Sequence, residues 1–343
     1  MKAMVTTGAL QMVMRDVECP MPNKGQVQVK VEYCGICGSD VHYYKDGKIG
    51  DHVLDHDIIL GHEVSGVVTA IGQDVTELKI GDRVALEPGI ACGKCEFCKT
   101  GHYNLCPEMT FFADPPTPGA LQEYVVHPAD LCFKLPDNVS TMEGALVEPL
   151  SVGLHAAGTG NVELGESVLI LGTGCIGLVT LLACKARGAA EIVVVDLYDK
   201  RLEFAKKLGA THVINAKKEN VLERANEILG KEGADVVFET AGSVVTISQT
   251  PFLVKAGGRI ILVGQSAQSE VSYNFAKVMI KELTIKSIFR YRNSYPVAIA
   301  ALSTGSIDVK QIVTHEFSFE ESKLGFDTVI KDAENVVKGV IKF

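Results

Sequence analysis

Two groups of residues in this sequence have the types and spacing to hold a metal. The first starts in Tyr33-Cys34-Gly35-Ile36-Cys37-Gly38-Ser39-Asp40-Val41-His42-Tyr43 and resumes at Gly61-His62-Glu63. Cys37, His62 and Glu63 offer one thiolate, one imidazole and one carboxylate. That mixed set suits zinc held by three protein groups with one coordination position left open. An open zinc is a Lewis acid, able to bring the pKa of bound water from about 15.7 to roughly 7. At about 1.4 kcal/mol per unit, that is on the order of 12 kcal/mol in favour of an oxyanion. On residue types alone, the competing reading is a buried thiol and a core histidine.

The second group is Cys92-Gly93-Lys94-Cys95-Glu96-Phe97-Cys98 followed by Cys106, four cysteines within fifteen positions. Two-residue spacings let successive turns aim their thiolates at one centre, and four sulfurs complete a tetrahedral zinc shell with no place for substrate. A closed shell is structural. Two local disulfides, unrelated thiols and a DNA-binding zinc ribbon are the alternatives. The net charge of -9 opposes the last, because binding to a phosphate backbone depends on clustered cations. Nucleic acid is therefore not expected as a partner. The first residues are interrupted by Gln11, Arg15 and Asp16 before any long apolar core develops, so neither a signal peptide nor a membrane span is expected. Ten cysteines without a secretion signal fit metal ligands and free thiols in the reducing cytoplasm.

The elements that must position these groups fall into two patterns. A chain of 343 residues, 47% hydrophobic and 22% charged, is long enough for about two domains with sizeable cores. Up to about residue 147 the sequence has short runs of period two, such as Gln26 to Val31 and Gly66 to Ile71. They are separated by Pro- and Gly-containing turns, as in a small strand-rich barrel. From Ser167 the pattern changes. Ser167-Val168-Leu169-Ile170-Leu171 is a continuous apolar run, as in a strand buried on both faces. It leads directly into Gly172-Thr173-Gly174-Cys175-Ile176-Gly177, a G-x-G-x-x-G fingerprint followed by an apolar helix over Leu178 to Arg187. Asp196 closes the next apolar strand nineteen positions after Gly177. There a carboxylate would accept hydrogen bonds from the adenosine ribose and repel the extra phosphate of NADP, so NAD is the expected cofactor. Its pyrophosphate would lie on the glycine-rich helix N-terminus. The alternation continues through Arg259 to Val263, giving an α/β fold with a doubly wound parallel Rossmann sheet.

With these motifs in place, the chain resembles the zinc-containing medium-chain dehydrogenase/reductase family over essentially its full length. The resemblance is carried by Cys37-Gly38-Ser39-Asp40, Gly61 to Gly66, Cys92 to Cys106 and Gly172 to Gly177. Ser39 to Tyr43, Glu148-Pro149-Leu150-Ser151-Val152, Asp196 with Arg201, and Phe289-Arg290-Tyr291 look like its polyol branch, the sorbitol and xylitol dehydrogenases. Two departures are visible: Arg292 and Asn293 follow the Arg-Tyr pair, and the cysteine cluster is complete although some polyol dehydrogenases lack it.

The resemblance implies a GroES-like catalytic barrel built from residues 1–150 and 281–343, flanking a NAD-binding domain over 151–280, and protomers assembled as homotetramers. It implies one catalytic zinc on Cys37, His62 and Glu63, with Glu148 facing the metal directly or through water. The structural zinc would lie on Cys92, Cys95, Cys98 and Cys106. Ser39 would take the substrate proton and pass it through the nicotinamide ribose towards His42. Tyr43, Glu148, Arg290 and Tyr291 would contact a polyol. Ile176, Arg201, Val263, Gly264 and Phe289 would join Gly172, Gly174, Gly177 and Asp196 around NAD. The implied reaction moves hydride from a secondary hydroxyl of a polyol to NAD, leaving a ketose. Threonine, butanediol or another secondary alcohol is the alternative substrate on the same scaffold. A catalytically silent NAD-binding protein is the alternative of another class.

Overall fold

Val27, Val29 and Val31 recur at every second position. They form the buried face of the strand Gln26–Gly35 in the computed structural model, which describes residues 1–49 and 52–343. That strand is the hub of a seven-stranded sheet. The sheet runs in the order Cys132–Lys134, Arg83–Leu86, Glu63–Ile71, Gln26–Gly35, Lys338–Lys342 and Val313–Ser318, and Tyr124–Pro128 also pairs with the hub. The register sets up the first metal group. Gly35 stands opposite Glu63 on one side and opposite Val340 on the other. Cys37 and His62 therefore leave adjacent strand ends. A Cβ on Gly35 would lie 1.8 Å from Glu63 Oε2, so only glycine lets this carboxylate fold over the neighbouring strand.

Cys37 is the N-cap of the helix Gly38–Asp46, whose buried residues Asp40, Tyr43 and Tyr44 follow the i, i+3, i+4 spacing of an inward face. Gly47 ends it in the left-handed conformation, donating its N–H to the Tyr43 carbonyl. The core beneath includes Val64, Leu86, Phe112, Leu121 and Phe326.

This unit comprises Met1–Glu148 and Arg292–Phe343; the second comprises Pro149–Tyr291. The helix Val147–Thr159 carries the chain out of the first. In the second unit a six-stranded parallel sheet is ordered His212–Asn215, Glu191–Asp196, Ser167–Leu171, Ala234–Glu239, Val254–Leu262 and Thr284–Ser287. In chain order this is 3-2-1-4-5-6, the doubly wound arrangement expected from the apolar runs. The return to the first unit comes at Arg292 and not at 281, because Thr284–Ser287 is the sixth strand of the parallel sheet. After Ser167–Leu171 the helix Cys175–Ala186 begins at the fingerprint. Among the described residues, no helix is long and apolar enough to cross a membrane.

Candidate active site

The ligand atoms of Cys37, His62 and Glu63 lie within 4.8 Å of one another, and both His62 and Glu63 are buried. His62 Nδ1 sits 3.3 Å from Asp40 Oδ1. Donation from Nδ1 to that carboxylate orients the ring and leaves Nε2 for a metal, the usual role of a carboxylate behind a metal-binding histidine. Asp40 Oδ1 also accepts from the Gly61 N–H at 3.2 Å. Burial by itself would push the His62 pKa down, but the Asp40 charge and the Cys37 sulfur outweigh it and hold the imidazole well above its ordinary value. The pocket thus favours a positive charge at His62, which a metal cation at Nε2 can supply. The ring also packs against Phe111 with centroids 5.5 Å apart.

Glu63 has a partner that its sequence neighbourhood does not suggest. The ammonium of Lys338, only 2% exposed, lies 2.5 Å from Glu63 Oε1, contacts Oε2, and donates to the Ile36 carbonyl at 3.0 Å. Glu63 is therefore anchored from behind while one face of its carboxylate stays near Cys37 and His62. A thiolate, an oriented imidazole and an anchored carboxylate form a donor set that fits zinc with an open position. Among the described residues this metal-compatible group does not include Glu148. Glu148 is buried in the first turn of Val147–Thr159.

Ser39 and His42 stand three residues apart on the helix Gly38–Asp46, Ser39 half-buried and His42 exposed. His42 is exposed and its Nδ1 lies 3.2 Å from Asp46 Oδ2. Tyr43 points inward, its hydroxyl 3.5 Å from Asp114 Oδ1. In the second unit, Tyr291 is buried, and the Arg290 guanidinium lies 5.0 Å from the ring centroid of exposed Phe289.

The four cysteines of the second group converge as their spacing predicts. Sulfurs about 2.3 Å from a central zinc stand roughly 3.8 Å apart in a tetrahedron; Cys92 and Cys98 are at 4.0 Å and Cys95 and Cys98 at 3.4 Å. The Lys94 and Cys95 amides hold the Cys92 thiol down at about 7. Desolvation and the neighbouring sulfurs push Cys98 up to about 12. Cys34, by contrast, is fully buried and, among the described residues, is not part of the group that could hold a metal.

At the glycine fingerprint, a Cβ on Gly177 would lie 2.0 Å from the Gly172 carbonyl, whereas one on Gly174 would meet nothing within 4 Å. The first glycine allows helix and strand to touch; the second leaves open space at the helix N-terminus, the cradle a pyrophosphate needs. Ile176 is half-buried beside it. The Asp196 carboxylate takes the Thr173 N–H at 2.8 Å and its hydroxyl at 2.5 Å on Oδ2, and the Leu197 and Tyr198 amides on Oδ1. Asp196 is thus also the brace of the fingerprint loop, a role the spacing alone did not reveal. Val263 and Gly264 both donate to the Glu239 carbonyl, and a Cβ on Gly264 would lie 2.3 Å from the Gly242 nitrogen. Arg201 lies 5.7 Å from the Tyr198 ring centroid.

Asp40, Lys338 and Phe111 escaped the sequence reading. An acid at Asp40 on the apolar face of a helix next to a cysteine was an available signal; Lys338, 275 positions from Glu63, carried none. Phe112, next to Phe111 in the chain, belongs to the core and packs on His127 with ring centroids 4.7 Å apart.

The family model for the alcohol dehydrogenase GroES-like domain matches residues 23–137, and that for zinc-binding dehydrogenases matches residues 175–304. An uncharacterised zinc-type alcohol dehydrogenase-like protein of Escherichia coli is 49% identical over 95% of this chain and 94% of its own. Sorbitol dehydrogenase of Bacillus subtilis is 41% identical over 99% of this chain and 97% of its own. The crystal structure of an Escherichia coli oxidoreductase of unknown specificity superposes with a TM-score of 0.95 at 46% identity, covering 99% and 98% of the two chains. The chain accordingly belongs to the zinc-containing medium-chain dehydrogenase/reductase family, in its polyol branch, and is an alcohol/polyol dehydrogenase.

Proposed function

We propose that the protein oxidises a secondary hydroxyl of a sorbitol- or xylitol-like polyol to a ketose, passing hydride to NAD and releasing a proton. The observation that carries this reading is the convergence of Cys37, His62 and Glu63, whose ligand atoms lie within 4.8 Å of one another, as a three-residue set that suits zinc with a fourth position for substrate. When bound, zinc supplies the Lewis acidity that ionises an alcohol near neutral pH, and the nicotinamide supplies the hydride acceptor. Cys37, His62 and Glu63 hold the metal, with Asp40 orienting His62 and Lys338 anchoring Glu63. Glu148 is assigned to the metal's water side. Ser39 takes the substrate proton and His42, at the exposed end of the same helix face, returns it to solvent. Tyr43, Arg290 and Tyr291 take the remaining hydroxyls, a demand that a simple alcohol does not make.

NAD binds over Gly172, Gly174, Ile176 and Gly177, with Asp196, Arg201, Val263, Gly264 and Phe289 around it. Asp196 selects NAD over NADP by repelling the extra phosphate. Replacing it with Ala should erode that preference by about tenfold, and weaken both cofactors because the loop brace goes too. An unchanged preference would show that another group selects. Exposed Phe275, Met279 and Ile280 beside the open edge strand Thr284–Ser287 support association of protomers, which we assign as a homotetramer. A reducing, cytoplasmic setting suits a protein dependent on five metal-binding thiolates.

A panel of sorbitol, xylitol, threonine and butanediol with NAD tests the reading. The expected result is NADH formation with the polyols. A preference for threonine or butanediol would move the assignment to a secondary-alcohol dehydrogenase. No turnover despite full zinc and NAD binding would mean a silent cofactor-binding protein.

A further inference from the structure

The two features that set this sequence apart from the polyol pattern, the complete cysteine cluster and the Arg292–Asn293 pair, touch each other. The short helical turn Tyr103–Leu105 lies between Cys98 and Cys106, so the sulfur cluster fixes its position. The Tyr103 hydroxyl accepts the Asn293 N–H at 2.7 Å and donates to Glu87 Oε1 at 2.7 Å. With its donor used on a buried carboxylate, the hydroxyl has one orientation to offer Asn293. Asn293 Nδ2 donates to the Gly101 carbonyl at 3.3 Å, and Arg292 Nη1 donates to Oδ1 of buried Asn104 at 3.4 Å. The Tyr295 hydroxyl completes the attachment on the Leu86 carbonyl at 2.8 Å. The segment held in this way is strained: Arg290 and Asn293 adopt left-handed backbone with φ of 53° and 54°. Non-glycine residues keep that conformation where their surroundings enforce it.

We propose that the cysteine-cluster loop is a positioning device for the substrate-binding turn. Through Tyr103, Gly101 and Asn104 it grips residues 292–293 and thereby sets the two residues that precede them, Arg290 and Tyr291. The cluster then contributes to polyol recognition and not to folding alone. This inference rests on the assignment of Arg290 and Tyr291 to polyol hydroxyls.

Tyr103→Phe removes the acceptor for Asn293 N–H with little change in volume, and Asn104→Ala releases Arg292. The zinc-loaded wild type and both variants are compared by amide hydrogen exchange across residues 288–294, zinc content, and steady-state kinetics with sorbitol and with 2,3-butanediol, which lacks the distal hydroxyls. The expected result is faster exchange at Asn293, zinc content unchanged, and a sorbitol KM raised about 5- to 10-fold, the worth of one lost hydrogen bond. The KM for NAD and the butanediol kinetics should stay within about twofold of wild type. Unchanged exchange across 288–294 in both variants would overturn the clamp. Faster exchange with an unchanged sorbitol KM would overturn its role in recognition, as would an equal loss with both substrates. A wild type that turns over no polyol would overturn the proposed substrate, and the exchange data would still decide the clamp.

Discussion

The two metal-compatible groups share one unit of the molecule and are built on opposite plans. Cys92, Cys95, Cys98 and Cys106 come from one short loop and supply only sulfur. Cys37, His62 and Glu63 leave two strand ends that are neighbours in the sheet, supply three kinds of donor, and are steadied from behind by Asp40 and Lys338. The first arrangement needs little but itself. The second depends on a frame, because an open metal position is useful only where the remaining ligands cannot drift into it. Local chemistry therefore makes the structural group, and sheet register makes the catalytic one.

The most direct way to break this comparison is to remove a ligand from the open group. Cys37→Ser should lower kcat/KM by more than about 10³-fold, since the metal's charge is worth several kcal/mol in the transition state. One zinc per chain should be left and thermal stability nearly unchanged. An active variant would transfer the chemistry elsewhere. Lys338→Met comes next. It strands the Glu63 carboxylate in a buried site, which typically costs about 3–5 kcal/mol. Because a bound cation replaces the lost ammonium charge, the loss should be larger in the metal-free protein than in the zinc-loaded one. Denaturant unfolding with and without zinc reads the difference; equal losses would mean that Lys338 does not serve the metal group.

The buried histidines sharpen the contrast. His62 faces a carboxylate and a thiol, whereas His127 Nε2 meets the Glu87 carbonyl at 2.7 Å, and burial pushes its pKa down to about 4. The folded protein keeps His127 neutral where an unfolded chain, titrating near 6.5, takes up a proton. Its contribution to stability is therefore full above pH 6.5, falls as the pH drops towards 4, and is flat below. The span is on the order of 3 kcal/mol. A melting-temperature series should show this component in the wild type and lose it in His127→Gln. The smallest effect is expected at the closed group: Cys95→Ser should release one zinc and lower Tm by roughly 5–10 °C, while the open group keeps its metal. Loss of both metals on this change would mean that the two groups are not separate.

Much of this contrast could be read from the chain. The cysteine spacing, the strand-glycine-helix succession around Gly172 to Gly177, and the Cys37, His62 and Glu63 set are each defined by neighbours or by a short interval, and the structure assembles them. What escaped was long-range. Lys338 meets Glu63 through the pairing of Lys338–Lys342 with Gln26–Gly35, which no local pattern announces. A return at 281 is what the family resemblance implies, and Thr284–Ser287, mostly exposed, lacks the apolar run that marks the other parallel strands. Phe111 and Phe112 are adjacent and alike in type, and only the fold decides which of them reaches His62.

Zinc content and polyol oxidation followed together during dialysis against a chelator would test the division most directly. Two zincs per chain are expected at the start, with activity falling in step with the first zinc lost and returning when it is restored, while the second stays in the cysteine cluster. Full turnover by protein holding zinc only in that cluster would contradict the account.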